Sequence, residues 1–422
     1  MATATAKVID ATPQVDGSYK IDIGRGTTDT SISAEWCSRP HDQKFLNLTD
    51  LHKATKEAAE QSYEVTLASD QIVMHATPGD SEKLSVILPG GAIQNAGRAT
   101  SQEIRMNPTH WTFGQLCRLG EPTPPASYLR ELPAFLSAQN LQYSLLQRGA
   151  DMKFYVRKWR GKETQELRAI TGPDYGRVRD HEVVDAVMKI AGNGTGKDGS
   201  HWKIPGLFNW SDMHYNPHIE PTLDTTTLYA SDRDMHIFLC DDTHPIQIGT
   251  LPDGSPDLVF RGFRVWNSEV GCCTLGIATM YLRGSCCNRI LWGVENFQQI
   301  TMRHSKRLPI RFLTEAMPAL ESYANASDRV LINGVKEARS ALVAANTDEA
   351  KEFLTTKAGL SKPMALKVLE TVTREEGVEA RSVWDMVQGI TAVARRHPNT
   401  DVRLNLEETA GKLLDKVTKS AA

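Results

Sequence analysis

The alternation of apolar and polar positions divides the chain into short elements. Leu51, Ala54 and Ala58 recur at helical spacing, which predicts a helix to about Glu60, capped by Thr49 or Asp50. Glu64–Ala68, Ile72–Ala76 and Lys83–Leu88 have the composition of strands, and Pro89-Gly90-Gly91 closes the last in a turn. From Thr109 the period becomes helical, with Phe113, Leu116, Cys117 and Leu119 on one stripe, until Pro122, Pro124 and Pro125 interrupt it. A second helix is predicted from Leu132 or Pro133 to Arg148.

Met152–Trp159 and Thr164–Thr171 flank a Gly161-Lys162 turn and predict a hairpin. A helix over Asp180–Ile190 buries Val183, Val184 and Val187. Residues 192–222 hold a glycine-rich run and three prolines and are expected to be an inserted loop. Strands follow at Leu228–Ala230, Met235–Leu239, Phe260–Asn267, Cys273–Leu282 and Cys286–Gly293. Helices dominate after Leu313, and Val383–Arg396 is the clearest, with Trp384, Val387, Ile390, Thr391 and Ala394 on one face. The expected organisation is an arm (1–35), an α/β segment (36–100), a central α+β core (101–312) and a helical C-terminal domain (313–422). In the core, a mixed or antiparallel sheet from 150–175 and 228–293 is expected to pack against helices.

At 422 residues and 40% hydrophobic composition the chain can bury a large core. No apolar run reaches the ~20 residues of a membrane helix, and the first residues, Met1 to Lys7, lack an apolar signal core. With seven cysteines, an odd number, the expectation is reduced thiols in a cytoplasm.

A net charge of −3 excludes binding of polyanions by bulk charge. The even total hides segregation. Residues 101–180 carry 12 basic and 8 acidic residues, residues 181–260 carry 4 and 12, and residues 261–312 carry 8 and 2. Two basic blocks thus flank an acidic one. The densest basic run is Arg303, His304, Lys306 and Arg307, with Arg311; Arg261, Arg264, Arg283 and Arg289 precede it, and Trp266 and Trp292 stand near. A second cluster, Arg157, Lys158, Arg160 and Lys162, sits at the predicted hairpin tip beside Trp159. Arginine interleaved with aromatic residues suits single strands, because guanidinium groups hold phosphates while rings stack on bases.

Gly196-Lys197 is followed by Asp198, which breaks the phosphate-loop pattern. His214, His218, His236, Cys240 and His244 lack the close spacing of a zinc site. Asp232, Asp234, Asp241 and Asp242 are candidates for magnesium in a nuclease. Cys272-Cys273 and Cys286-Cys287 are expected to fill strand positions as small residues. No Gly-x-Ser-x-Gly nucleophile motif is present.

Several motifs appear in a recognisable order. They are Trp36-Cys37-Ser38-Arg39-Pro40 leading to Phe45-Leu46-Asn47-Leu48, Phe113–Gly120 followed by Pro125–Pro133, and Arg168-Ala169-Ile170 with Tyr175. Then come Asn267–Gly271, Leu282–Asn288, the pair Arg303-His304, and Val383-Trp384-Asp385. Over residues 30–400 this resembles a family of phage- and plasmid-encoded proteins of uncharacterised domain. Asn288-Arg289 departs from the family's Asn-Gly. The strand–turn–strand core with an amphipathic helix is similar to the phage annealing proteins used in recombination, by fold analogy.

The resemblance and the basic blocks together imply a single-stranded-DNA-binding protein of a phage or prophage. It would anneal strands in recombination or replication, without bond chemistry or cofactor, and work as a homo-oligomer. A metal-dependent nuclease or host-takeover enzyme, and a structural or scaffolding phage protein, are the alternatives.

Overall fold

The computed structural model describes residues 41–77, 83–90, 103–158, 165–209, 214–216, 218–250, 256–283, 289–290, 299–397 and 400–418. The expected arm at 1–35, and Trp159, Arg160, Lys162 and Trp292, lie outside them.

In chain order the elements begin with β1 (Lys44–Phe45), α1 (Leu48–Glu60), β2 (Ser62–Ala68), β3 (Val73–Thr77), β4 (Lys83–Leu88) and β5 (Ile104–Pro108). Three helices follow, α2 (His110–Leu119), α3 (Ala126–Glu131) and α4 (Ala134–Arg148). Then come β6 (Asp151–Arg157), β7 (Gln165–Thr171), α5 (Asp180–Ala191), and a small pair, β8 (Leu207–Asn209) and β9 (His214–Asn216). The second run of strands is β10 (Leu228–Ala230), β11 (Met235–Thr250), β12 (Pro256–Asn267), β13 (Leu275–Arg283), β14 (Arg289–Ile290) and β15 (Gln299–Met302). The chain ends in helices: α6 (Leu308–Arg311), a π turn at Phe312–Ala316, α7 (Met317–Ala324), α8 (Asp328–Ser340), α9 (Thr347–Thr356), α10 (Lys362–Glu376), α11 (Val383–Arg395) and α12 (Thr400–Thr418).

The protein is α+β, with helices packed on sheets and a helical C-terminal run. The strands form two principal sheets rather than the single one expected. Segment 150–175 joins a six-stranded sheet of order β2-β6-β7-β5-β4-β3, mixed because β5 runs parallel to β7. Segment 228–302 builds a seven-stranded antiparallel sheet with β1 at one edge. The six-stranded sheet draws strands from both sides of residue 100.

Each sheet has its own core. Val65, Leu88, Phe154, Val156 and Leu167 pack against Leu116, Leu141 and Leu145 of α2 and α4. The other core runs from Leu48 and Leu51 through Val183, Ile237, Phe263, Leu275 and Ile277 to Leu320, Val387 and Leu414. The C-terminal helices therefore share one apolar core with the seven-stranded sheet. Leu275 and Ile277 are fully buried, as the strand reading requires.

Local chemistry accounts for the shifted boundaries. Asn47, not Thr49 or Asp50, caps α1, because its side chain accepts from the Asp50 N–H and lets buried Leu48 join the first turn. Strand β11 continues well past Leu239, since a register shift between Asp241 and Ile246 absorbs Pro245. The start of the insert is a packed strap: Trp202 and Ile204 enter the core, and Lys203 exchanges both backbone hydrogen bonds with Cys240 at 2.9 Å. Among the described residues, Cys117, Cys240, Cys272 and Cys273 form no disulfide with one another. Among the described residues no helix is long and apolar enough to cross a membrane.

Candidate nucleic-acid interface

The motif residues from distant parts of the chain converge where the two sheets meet. Tyr155 of β6 faces away from the α2/α4 core. A register shift opposite Tyr155 and Val156 leaves Arg168 as the extra residue of β7, which aims its guanidinium to the same side. Between them lies Glu269, in the turn after β12. Tyr155 Oη donates to Glu269 Oε2 at 2.6 Å, and Arg168 Nη1 lies 3.4 Å from the same oxygen. The Asp180 N–H donates to Glu269 Oε1 at 2.9 Å, at the start of α5. Asn267 Nδ2 donates to Asp180 Oδ1 at 2.7 Å and to the Val178 carbonyl at 3.0 Å. Arg168, Arg177 and Arg179 all lie over the Tyr155 ring.

Electrostatics divide the two buried acids. Burial works to raise the Glu269 pKa, but Arg168, Arg179 and the donated hydrogen bonds outweigh it and hold the carboxylate ionised. Asp180 has burial and the Glu269 charge acting together, which push its pKa well up. Burial, then Glu269, raises the Tyr155 phenol to about 12, so it stays a donor. This junction fixes one sheet against the other.

The predicted cations of 303–311 sit on its flank. Arg303 follows β15, the strand that pairs with the start of β13. The next residues lie on the 172–176 loop so closely that a side-chain carbon at Gly176 would collide with the Ser305 carbonyl oxygen. The His304 ring stacks on Tyr175 at 4.7 Å and donates from Nδ1 to the Gly176 carbonyl at 3.2 Å. Tyr175 in turn donates its hydroxyl to the Ser268 carbonyl at 2.9 Å. Leu308 and Phe312 then anchor the segment in the core. Arg303, Lys306, Arg307 and Arg311 are exposed on this rigid support, with Ile310 and Leu313 exposed beside them. Lys306 pairs with Asp174 at 2.5 Å and Arg311 with Glu315 at 2.7 Å, both at the surface, where such pairs are weak. Arg303 and Arg307 have no ion pair among the described residues.

The remaining predicted residues are placed elsewhere. His304 is not a cation at neutral pH, because burial lowers its pKa to about 4. Arg261 is occupied within the fold: it donates to the Tyr323 and Ala326 carbonyls and pairs with Asp328 at 2.7 Å. Arg264 is buried, with its guanidinium 4.4 Å from the Trp266 ring centroid. Trp266 is a core residue whose ring lies where a side chain at Gly276 would be, so it offers no face to a base. Arg157 is half-buried and bonds Gln61 at 3.2 Å, whereas Lys158 is exposed. Arg283 and Arg289 are placed by their strands β13 and β14. Arg160 and Lys162 fall outside the described residues.

The acidic candidates do not converge. Asp242 accepts from the Gly206 N–H and pairs with Lys203, Asp234 lies with Ser231 and His236, and Asp241 bonds His244. Among the described residues no group of three or more His, Cys, Asp or Glu side chains could hold a metal ion.

One basic cluster escaped the sequence reading. Arg118 and Arg233 lie 5.1 and 5.4 Å from the centroid of the Trp111 ring, and Arg130 lies 5.2 Å from that of Phe113. The signal available was the excess of basic residues over 101–180, but the helical stripe assigned Phe113 to the core alone. Trp111 Nε1 donates to the Val270 carbonyl at 3.1 Å, and Arg233 Nη2 lies 3.8 Å from Cys272 Sγ. The turn 268–273 is thus contacted both by Trp111, at Val270, and by Tyr175, at Ser268, with His304 stacked on Tyr175. Compared with protein-family models, with curated proteins and with solved structures, the chain gives no significant match.

Proposed function

We propose that this protein binds single-stranded DNA through the cationic segment 303–311 and anneals strands in recombination or replication, with no bond chemistry. The observation that carries the reading is the exposure of Arg303 and Arg307, without acidic partners among the described residues, on a segment fixed by Gly176, Tyr175 and the core. Pre-positioned cations lose little entropy on meeting phosphates. Ile310 and Leu313 beside them offer apolar surface to bases, which suits a single strand better than a duplex whose bases are stacked inside. Lys306 and Arg311 exchange weak surface pairs for phosphate at small cost.

Annealing calls for several subunits on one strand. Helix α4 supplies a surface for contact with a second copy. Its exposed face carries Phe135, Gln139, Tyr143 and Leu146, and the helix bears no charge before Arg148. Uncharged on both sides, such a face meets its own copy without like-charge repulsion.

The test is an electrophoretic mobility shift with single- and double-stranded DNA of equal length, with and without magnesium. Binding that prefers the single strand, needs no magnesium and leaves the DNA uncut supports the reading. Absence of binding at low salt, or cleavage, refutes it.

A further inference from the structure

Arg118 and Arg130 are drawn together on one surface without an acid between them. A side-chain carbon built at Gly114 would lie 3.9 Å from Arg118 Nη1 and 3.6 Å from Arg130 Nη2. The two nitrogens are thus no farther apart than those two reaches laid end to end, about 7.5 Å. Both arginines are exposed, and neither has an ion pair among the described residues. Each is held from below. Arg118 lies over Trp111, itself tied to Val270, while Arg130 lies over Phe113 and donates from Nη2 to the His110 carbonyl at 3.0 Å. Like charges so placed repel one another, and an anion between them removes that cost.

We infer that Arg118 and Arg130 form a second phosphate clamp, which holds the backbone of the same single strand that Arg303 and Arg307 bind. The inference rests on the proposed single-strand binding and extends it by a site.

A phosphate accepting from both guanidinium groups, at roughly 2.7–2.9 Å each, spans a gap of that size. Gly114 leaves the space between them open. Partial burial first, and then the charges of Arg130 and Arg233, lower the pKa of neighbouring His110 against a smaller opposing effect of Asp232. The 268–273 turn links the two clusters: its Val270 carbonyl accepts from Trp111, and its Ser268 carbonyl accepts from Tyr175, on which His304 stacks.

The test uses the full chain and a fluorescently labelled oligothymidylate, with anisotropy read over a salt series. Arg118→Ala with Arg130→Ala should weaken binding and lower the salt slope by about 1.4, at ~0.7 for each lost phosphate contact. Gly114→Glu places a carboxylate between the guanidinium groups. Its side chain meets only flexible side-chain ends there, so it should keep the thermal midpoint and lose the same binding, which separates loss of the clamp from loss of the fold. Unchanged slopes in both variants, alongside a reduced slope in Arg303→Ala/Arg307→Ala, would overturn the clamp and leave the parent reading standing. No binding by the wild type would refute both. Calorimetry with inorganic phosphate alone distinguishes the source. Saturable uptake that the double variant loses, without any effect of that variant on the oligonucleotide, would make this a free-phosphate site and overturn the strand clamp.

Discussion

Tyr155 and Glu269 share a 2.6 Å hydrogen bond across the junction of the two sheets, and the carboxylate that accepts it is also bound by Arg168 and the Asp180 N–H. One carboxylate thus collects a phenol, a guanidinium and a backbone amide from three elements. Glu269→Gln should cost roughly 3–5 kcal/mol of stability, because it leaves the buried Arg168 charge without its partner. Tyr155→Phe should cost less, about 1–3 kcal/mol, since it removes one donor and leaves the charge pair. Urea unfolding of both variants checks the order.

Gly176→Ala should displace the basic segment rather than merely loosen the 172–176 loop. The added carbon would meet backbone at Ser305, which a rotamer change cannot relieve. The variant should bind single-stranded DNA more weakly with every cation still present, and limited proteolysis should cut near Arg303–Arg307 sooner than in the wild type.

His304 gives the protein an acid-sensitive increment of stability. Its folded pKa of about 4 lies below its ordinary 6.5, so the folded state resists protonation. That stability is fully present above about pH 6.5 and is lost as pH falls toward about 4. The stability difference between the wild type and His304→Gln should therefore shrink over that window and stay constant above it, as measured by denaturant unfolding at a series of pH values. DNA binding between pH 6.5 and 8 should show no step from this residue.

Phe135→Glu with Leu146→Glu places like charges on the α4 face. Both side chains are exposed, so the subunit should stay folded while any oligomer dissociates. Sedimentation velocity of the wild type and the double variant reads the change; identical distributions would exclude this face.

Much of this was legible in the pattern of apolar residues. The hairpin β6–β7 and the strand burial of Leu275 and Ile277 follow from strand composition and turn residues, and the face of α11 from helical period. What the pattern could not carry was partnership. Arg261, Arg264 and Arg303 look alike in sequence, yet Arg261 is bonded to carbonyls of the 323–326 turn and Arg264 lies under the surface against Trp266. Only the fold decides which guanidinium groups remain exposed. The Arg118–Arg130 pair was hidden for the converse reason, since its members lie on different helices and meet over Gly114. The separation into two sheets escaped notice because β5 pairs in parallel with a strand some sixty residues on, for which local periodicity leaves no mark.

The central claim is that exposed cations of 303–311 hold phosphates of a single strand. The most direct measurement is the salt dependence of single-stranded-DNA affinity for the wild type and for Arg303→Ala/Lys306→Ala/Arg307→Ala. The account predicts weaker binding and a slope lower by about two, at ~0.7 per lost contact, for every base sequence alike. Tight binding by the triple variant with its slope intact would contradict it.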